Sequence, residues 1–189
     1  MARAKKTQVE TTTIELEDAV KKEAVVKNET VKKDDKPIVP KDIDPGTYVS
    51  VRNGFQGKLI YISPRTKEEY TWDEFGDEQE MELRELRNAK SSAKGFFENN
   101  WFMFDEEFQW VIPYLGLNKF YENSIRLDEF DKIFELKPEI LAKAIGKMPA
   151  GQKNSLMYRA MQLVNEGAID SRKMISTLEE VFGIELIER

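Results

Sequence analysis

The stretch VRNGFQGKLIYI, residues 51–62, decides how this chain folds. Gly54 and Gly57 lie between runs of β-branched and aromatic side chains, which allows two readings: a loop that cradles a phosphate, or the bend of a hairpin. A phosphate loop needs a helix behind it whose N-terminal N–H groups point at the anion, whereas Gly57 is followed by Leu59-Ile60-Tyr61-Ile62, a strand pattern. Asn53-Gly54 is itself a short hairpin signal because both residues tolerate positive φ, and Gly57 suits a bulge. The stretch therefore reads as strand, turn, strand.

Upstream, Tyr48, Ser50 and Arg52 alternate with Val49 and Val51. Downstream, Ser63-Pro64-Arg65-Thr66 is turn chemistry and Glu69-Tyr70-Thr71-Trp72 is a third short strand. The expectation is a three-stranded antiparallel meander over 45–74. Beyond Phe75 the period changes. Met81, Leu83 and Leu86 fall near helical spacing, Gly76-Asp77 offers a cap, and Asp77, Glu78 and Glu80 suit a first helical turn, which predicts a helix over 78–90. It opens a region of aromatic-rich helices, 75–122, that contains GFFENNWFMF (95–104) and in which Pro113 breaks or opens a helix.

Residues 123–189 read as a bundle of short helices. Leu127, Phe130, Ile133 and Phe134 give one apolar face, and Pro138 starts a helix that stops near Gly146 and Pro149. A third, with Leu156, Ala160, Leu163 and Val164, ends at Gly167. A fourth is capped at Asp170 or Ser171 and closed by Gly183. The fold class is α+β: a small antiparallel meander followed by five or six short helices.

The 189 residues contain no cysteine and no histidine. That composition excludes disulfides, Cys or His zinc sites, iron–sulfur clusters, thiol nucleophiles and Ser–His or Cys–His pairs, and it fits a reducing cytoplasm. The Lys-rich N-terminus has no apolar stretch behind it, and no window approaches a membrane span, so the expectation is a soluble protein without a signal peptide. All twenty aromatic residues lie at or after Tyr48. A ring-free, charged segment cannot bury enough apolar surface to offset the entropy of ordering it, so residues 1–44 read as a disordered arm. Within the arm, residues 14–22 place Leu16 and Val20 on one face beside a Glu17–Lys21 pair, a helix that a partner could order. Asp44-Pro45-Gly46 marks the boundary of the folded part, 45–189.

Residues 1–45 hold ten basic and ten acidic residues, so the body carries the whole net charge of −6. A phosphate backbone is repelled by such a body at long range, and only a local basic patch overcomes that repulsion.

WDEFGDEQEMELRE (72–85), with Asp73, Asp77 and Glu80, is the most metal-like feature of the sequence, since three carboxylates there could gather around a hard cation. It lacks the spacing of a calcium loop, and acidic residues at a helix start need no ion, so no metal site is expected. No cofactor and no catalytic residue are assigned. The aromatic cluster supplies the candidate partner-binding residues: Phe55, Phe97, Trp101, Phe102, Phe104 and Trp110, since rings beyond what a small core needs mark interfaces. The helices flanking NEGAID (165–170) resemble a helix-turn-helix, with Lys153, Arg159, Arg172 and Lys173 as phosphate contacts, but Glu179 and Glu180 on the second helix face DNA badly.

The run 49–51, Asn53-Gly54, Gly57-Lys58-Leu59, Tyr61, Tyr70-Thr71-Trp72, EFGDEQEMELRELRNAK (74–90) and FFENNWF (96–102) resembles uncharacterised proteins of tailed bacteriophages that infect Gram-positive gut bacteria, over about 48–189. The resemblance implies a virion-associated or morphogenesis role and carries no catalytic residues. The expected function is a non-enzymatic virion structural or assembly protein. It would act through contacts with other virion proteins or with itself, without nucleic acid, membrane or small-molecule substrate, in the host cytoplasm during assembly and then in the virion. The alternatives are a small nucleic-acid-binding regulator using the C-terminal helices or the Lys-rich arm, and an enzyme pairing carboxylates with a hard metal.

Overall fold

Strand β1 (Tyr48–Asn53) is the centre of the architecture. In the computed structural model, which describes residue 39 and residues 42–187, Val49 and Val51 of β1 are fully buried on the sheet's inner face. The antiparallel order is β4-β1-β5, with β4 at Glu78–Glu82 and β5 at Phe102–Met103. Val49 lies opposite Met81, and Arg52 opposite both Glu78 and Met103. Strands β2 (Leu59–Ile62) and β3 (Glu69–Trp72) form a separate antiparallel hairpin in which Tyr61 faces Tyr70. The α+β class is as the patterning predicts, but the consecutive meander is not formed.

Asn53 is the reason. Its side chain is buried at the end of β1: the amide donates to the carbonyls of Gly57 and Glu74, both at 2.8 Å, and Oδ1 accepts the Phe55 N–H at 2.8 Å. Its backbone bonds Asp77 and Gly76 across the second loop. Positive φ falls on Gly57 and Gly76, not on the Asn-Gly pair. A buried amide with every polar group satisfied clamps the loops 54–58 and 73–77 together, and this outweighs the local turn preference. The chain therefore leaves β1, builds the outlying hairpin and returns as β4.

The predicted helix over 78–90 is likewise corrected. Residues 78–82 are strand β4, and helix α1 runs Leu83–Ser92. Met81 fits strand alternation as well as helical spacing, and the pairing with Val49 selects the strand. The helix starts at Leu83 because two of its free N–H groups find carbonyls there: Leu83 donates to Thr47 and Arg84 to Pro45, each at 2.9 Å. The Asp44-Pro45-Gly46 turn is present, with Thr47 N–H bonded to Asp44 O. The arm and its 14–22 helix lie outside the described residues.

Short helices α2 (Gly95–Glu98), α3 (Val111–Tyr114) and α4 (Asn118–Tyr121) complete the first apolar cluster. Pro113 sits inside the first turn of α3, where its missing N–H costs nothing. The expected helix around 127–134 is two 3-10 turns, Leu127–Glu129 and Asp131–Glu135. Then come α5 (Pro138–Lys147), α6 (Ala150–Asn165) and α7 (Arg172–Phe182), started and stopped by Pro138 and Gly183 as read from sequence. They enclose a second cluster around Phe130, Leu141, Ile145, Leu156 and Leu178. Among the described residues no helix is long and apolar enough to cross a membrane.

The two clusters meet through small and polar groups. Ser155 Oγ donates to Gly54 O at 2.8 Å, while within the second cluster Gln152 bonds both backbone groups of Ile125. A Cβ on Gly151 would lie 2.3 Å from Asn99 Cβ, and one on Gly54 would lie 2.1 Å from Asn100 O. Only glycine permits these approaches.

Candidate interaction surfaces

The six candidate aromatics divide into two groups. Phe97 and Phe102 are fully buried and Phe104 nearly so, which corrects their assignment to a partner-binding surface. Phe102 is the hub of the core, with its ring 4.8–5.7 Å from Phe96, Phe97, Trp72 and Tyr61. Strand β5 sets it there by pairing Asn53 with Phe102 against β1. Phe55, Trp101 and Trp110 are half-buried. Phe55 meets Trp101 edge-on at 5.8 Å, Trp101 meets Phe96 at 5.6 Å, and Trp110 packs on Tyr114. These rings chiefly close the edge of the first cluster.

The acidic residues 73, 77 and 80 do not converge. Asp77 accepts the N–H groups of Asp73 and Glu74, Asp73 pairs with Lys58 at 3.1 Å, and Glu80 stands on β4 opposite Ser50. Among the described residues no group of three or more acids is placed to hold a metal ion. Of the four cations assigned to the helix pair, Arg159 is bound twice to Asp131 and Lys173 to Glu139. The hydrogen bonds from Arg159, with its charge, outweigh burial and hold the Asp131 carboxyl below its ordinary range.

The β2–β3 hairpin has two unlike faces. Inward, Leu59, Tyr61, Tyr70 and Trp72 are buried, and Trp72 Nε1 donates to Val51 O at 2.9 Å. Tyr61 OH donates to Glu85 on α1 at 2.7 Å. Burial pushes the Glu85 carboxyl up, but hydrogen bonds from Tyr61, Ser63 and Asn88 and the charge of Arg65 outweigh it, leaving the group below the usual carboxylate value. Burial and the Glu85 charge push the Tyr61 hydroxyl up.

Outward, Ile60 and Ile62 are 44% and 54% exposed. They stand opposite Thr71 and Glu69. Ser63 N–H bonds Glu68 O, so by antiparallel alternation residues 59, 61 and 63 bond to β3 while Ile60 and Ile62 turn their N–H and C=O groups to the other edge. The outer side of β3 is tied down by Gln79, which donates to Thr71 O at 2.8 Å. Among the described residues no strand pairs with the other edge of β2. Sequence reasoning passed over Ile60 and Ile62 because it weighted rings; the signal available was an isoleucine pair at period two.

The described residues also form clefts. One of about 810 Å³ lies between the end of α6 and the C-terminal segment, lined by Met161, Val164, Ile169, Ile175 and Leu186. Another of about 520 Å³ lies between the loop at Gln56 and Gly57 and the residues Phe75, Phe130, Asp131 and Arg159. Comparison with protein-family models, with curated proteins and with solved structures finds no match for the chain.

Proposed function

We propose that this chain is a non-enzymatic assembly protein of a tailed-phage particle that works through protein–protein contacts, and that β2 is its docking strand. The observation that carries the reading is the open edge of β2. Ile60 and Ile62 turn both their backbone N–H and C=O groups to an edge that no described strand pairs, and an edge of that kind accepts an extended segment of a neighbouring subunit. Backbone hydrogen bonds supply affinity, and the two isoleucines supply the apolar contact.

The double variant I60K/I62E tests this. Both side chains are exposed, so the change in unfolding free energy should stay within about 0.5 kcal/mol. Incorporation into purified particles, read by mass spectrometry, and sedimentation as a complex should be lost. A wild-type protein that sediments as a lone monomer and is absent from particles, or a variant that assembles like the wild type, refutes the proposal.

A further inference from the structure

The geometry points to a binding site for the phosphate backbone of single-stranded nucleic acid on the outer face of α1. The only acid within α1 is Glu85, and it is buried beneath Tyr61. The exposed side of the helix is therefore cationic or neutral: Arg84, Arg87, Lys90 and Ser91. Arg87 and Lys90 lie one turn apart, about 4.5 Å along the axis, and Lys94 continues the row just past the helix end.

The segment from α3 to α4 runs beside this row and holds it in place. The Arg87 guanidinium stacks 5.6 Å from the Tyr114 ring centroid and donates to its hydroxyl, and Lys90 Nζ donates to Leu115 O. Lys94 and a fourth cation, Lys119 of α4, stand 5.5 and 4.7 Å from the Phe120 centroid. Among the described residues no carboxylate pairs with Arg87, Lys90 or Lys119, whereas Lys94 pairs with Glu98. The stripe is thus a local basic patch on a body of net charge −6, the one arrangement that overcomes its long-range repulsion.

The chemistry of the ligand follows from what the stripe offers. Cations already stand over the rings of Tyr114 and Phe120, so these rings present no free platform for base stacking, and contact falls to phosphates regardless of sequence. Carboxylates adjoin the stripe's residues: Glu98 pairs with Lys94, Glu82 immediately precedes α1 and Glu122 immediately follows α4. A flexible single strand follows such a row, whereas a stiff duplex would press its second strand against the carboxylates.

Fluorescence anisotropy with the full chain and a labelled oligothymidylate tests the site. Four phosphate contacts on a single strand give a log–log salt slope of about −2.8, so affinity should fall about 50-fold between about 50 and about 200 mM salt. In K94Q/K119Q, with two contacts left, the slope should drop to about −1.4 and the loss to about 7-fold. K143Q/K147Q, on exposed positions of α5, removes the same charge and should keep the wild-type slope. A mixed-sequence strand should bind equally well. No binding at low salt, an unchanged slope in K94Q/K119Q, tighter binding of duplex, or equal competition by polyglutamate each overturns the proposal, the last in favour of an acidic protein ligand. The site shares no residue with the β2 edge, so either reading can fail alone.

Discussion

Substituting alanine for glycine at two positions in neighbouring helices should move stability in opposite directions. Gly146 lies near the end of α5 with nothing within 4 Å of an added Cβ. Gly146→Ala gains helix propensity and loses unfolded-state entropy, a stabilisation of about 0.5–1 kcal/mol. Gly151 is the second residue of α6, and its added Cβ would sit 2.3 Å from both Asn99 Cβ and Asn99 O. Backbone cannot yield there as a flexible side chain would. The helix must back away, pulling Ser155 from Gly54 O and Gln152 from Ile125. Overpacking of this kind costs about 1–3 kcal/mol, and weakening a buried hydrogen bond adds about 1 kcal/mol, so the net for Gly151→Ala is a loss of about 1–3 kcal/mol after the propensity gain. For a domain of this size that is a melting temperature raised by about 2 °C for Gly146→Ala and lowered by about 2–12 °C for Gly151→Ala. Urea unfolding followed by circular dichroism, with m-values compared between variants, reads both. If Gly151→Ala is as stable as Gly146→Ala, α6 does not rest on the Asn99 turn and the packing of the two clusters described above is wrong.

The Glu85 contact predicts a pH dependence. Its folded-state pKa lies below the unfolded value, so the stability it contributes is present above the unfolded carboxylate pKa near about 4.3 and is lost as pH falls through the lower, folded value. The urea midpoint of the wild type should fall on acidification below about pH 4.5, and Glu85→Gln should flatten that part of the curve. An identical pH profile in the variant removes Glu85 from the account. Tyr61→Phe leaves a buried carboxylate short of a donor and should cost about 1–3 kcal/mol, measured by the same unfolding curves. Asn53→Ala orphans the carbonyls of Gly57 and Glu74 and should cost about 2–4 kcal/mol; a loss under about 0.5 kcal/mol would show that the loops do not depend on that clamp.

Much of the architecture was legible from local signals. The strand runs at 48–53, 59–62 and 69–72, the turn at Asp44, the helix start at Pro138 and the stop at Gly183 each rest on a few adjacent residues. What was not legible rests on distant groups. Strand order depends on Asn53 reaching Glu74, and on Gly54 accepting the close approach of Asn100. The start of α1 depends on carbonyls at 45 and 47, more than thirty residues earlier in the chain. Trp101 and Phe102 are neighbours of equal apolar character, yet one closes an edge and the other is the hub of the core, because β5 turns only one of them inward.

The two proposed surfaces share one physical cause. Tyr61 on the inner face of the hairpin meets Glu85 on the buried face of α1, so the outer face of β2 and the outer face of α1 are turned away from each other. With Tyr61 and its neighbours taking the apolar burial on the inner side, Ile60 and Ile62 are left to the opposite face by strand alternation. The hydrogen bonds that keep Glu85 ionised inside the protein also withdraw the only carboxylate of α1 from solvent, so Arg87 and Lys90 meet no opposing charge on their own helix. A carboxylate returned to that face, as in Ser91→Glu beside Arg87 and Lys90, lowers the stripe's charge by one without touching a buried group. It should therefore weaken oligonucleotide binding while leaving the β2 edge and the folded stability as they were.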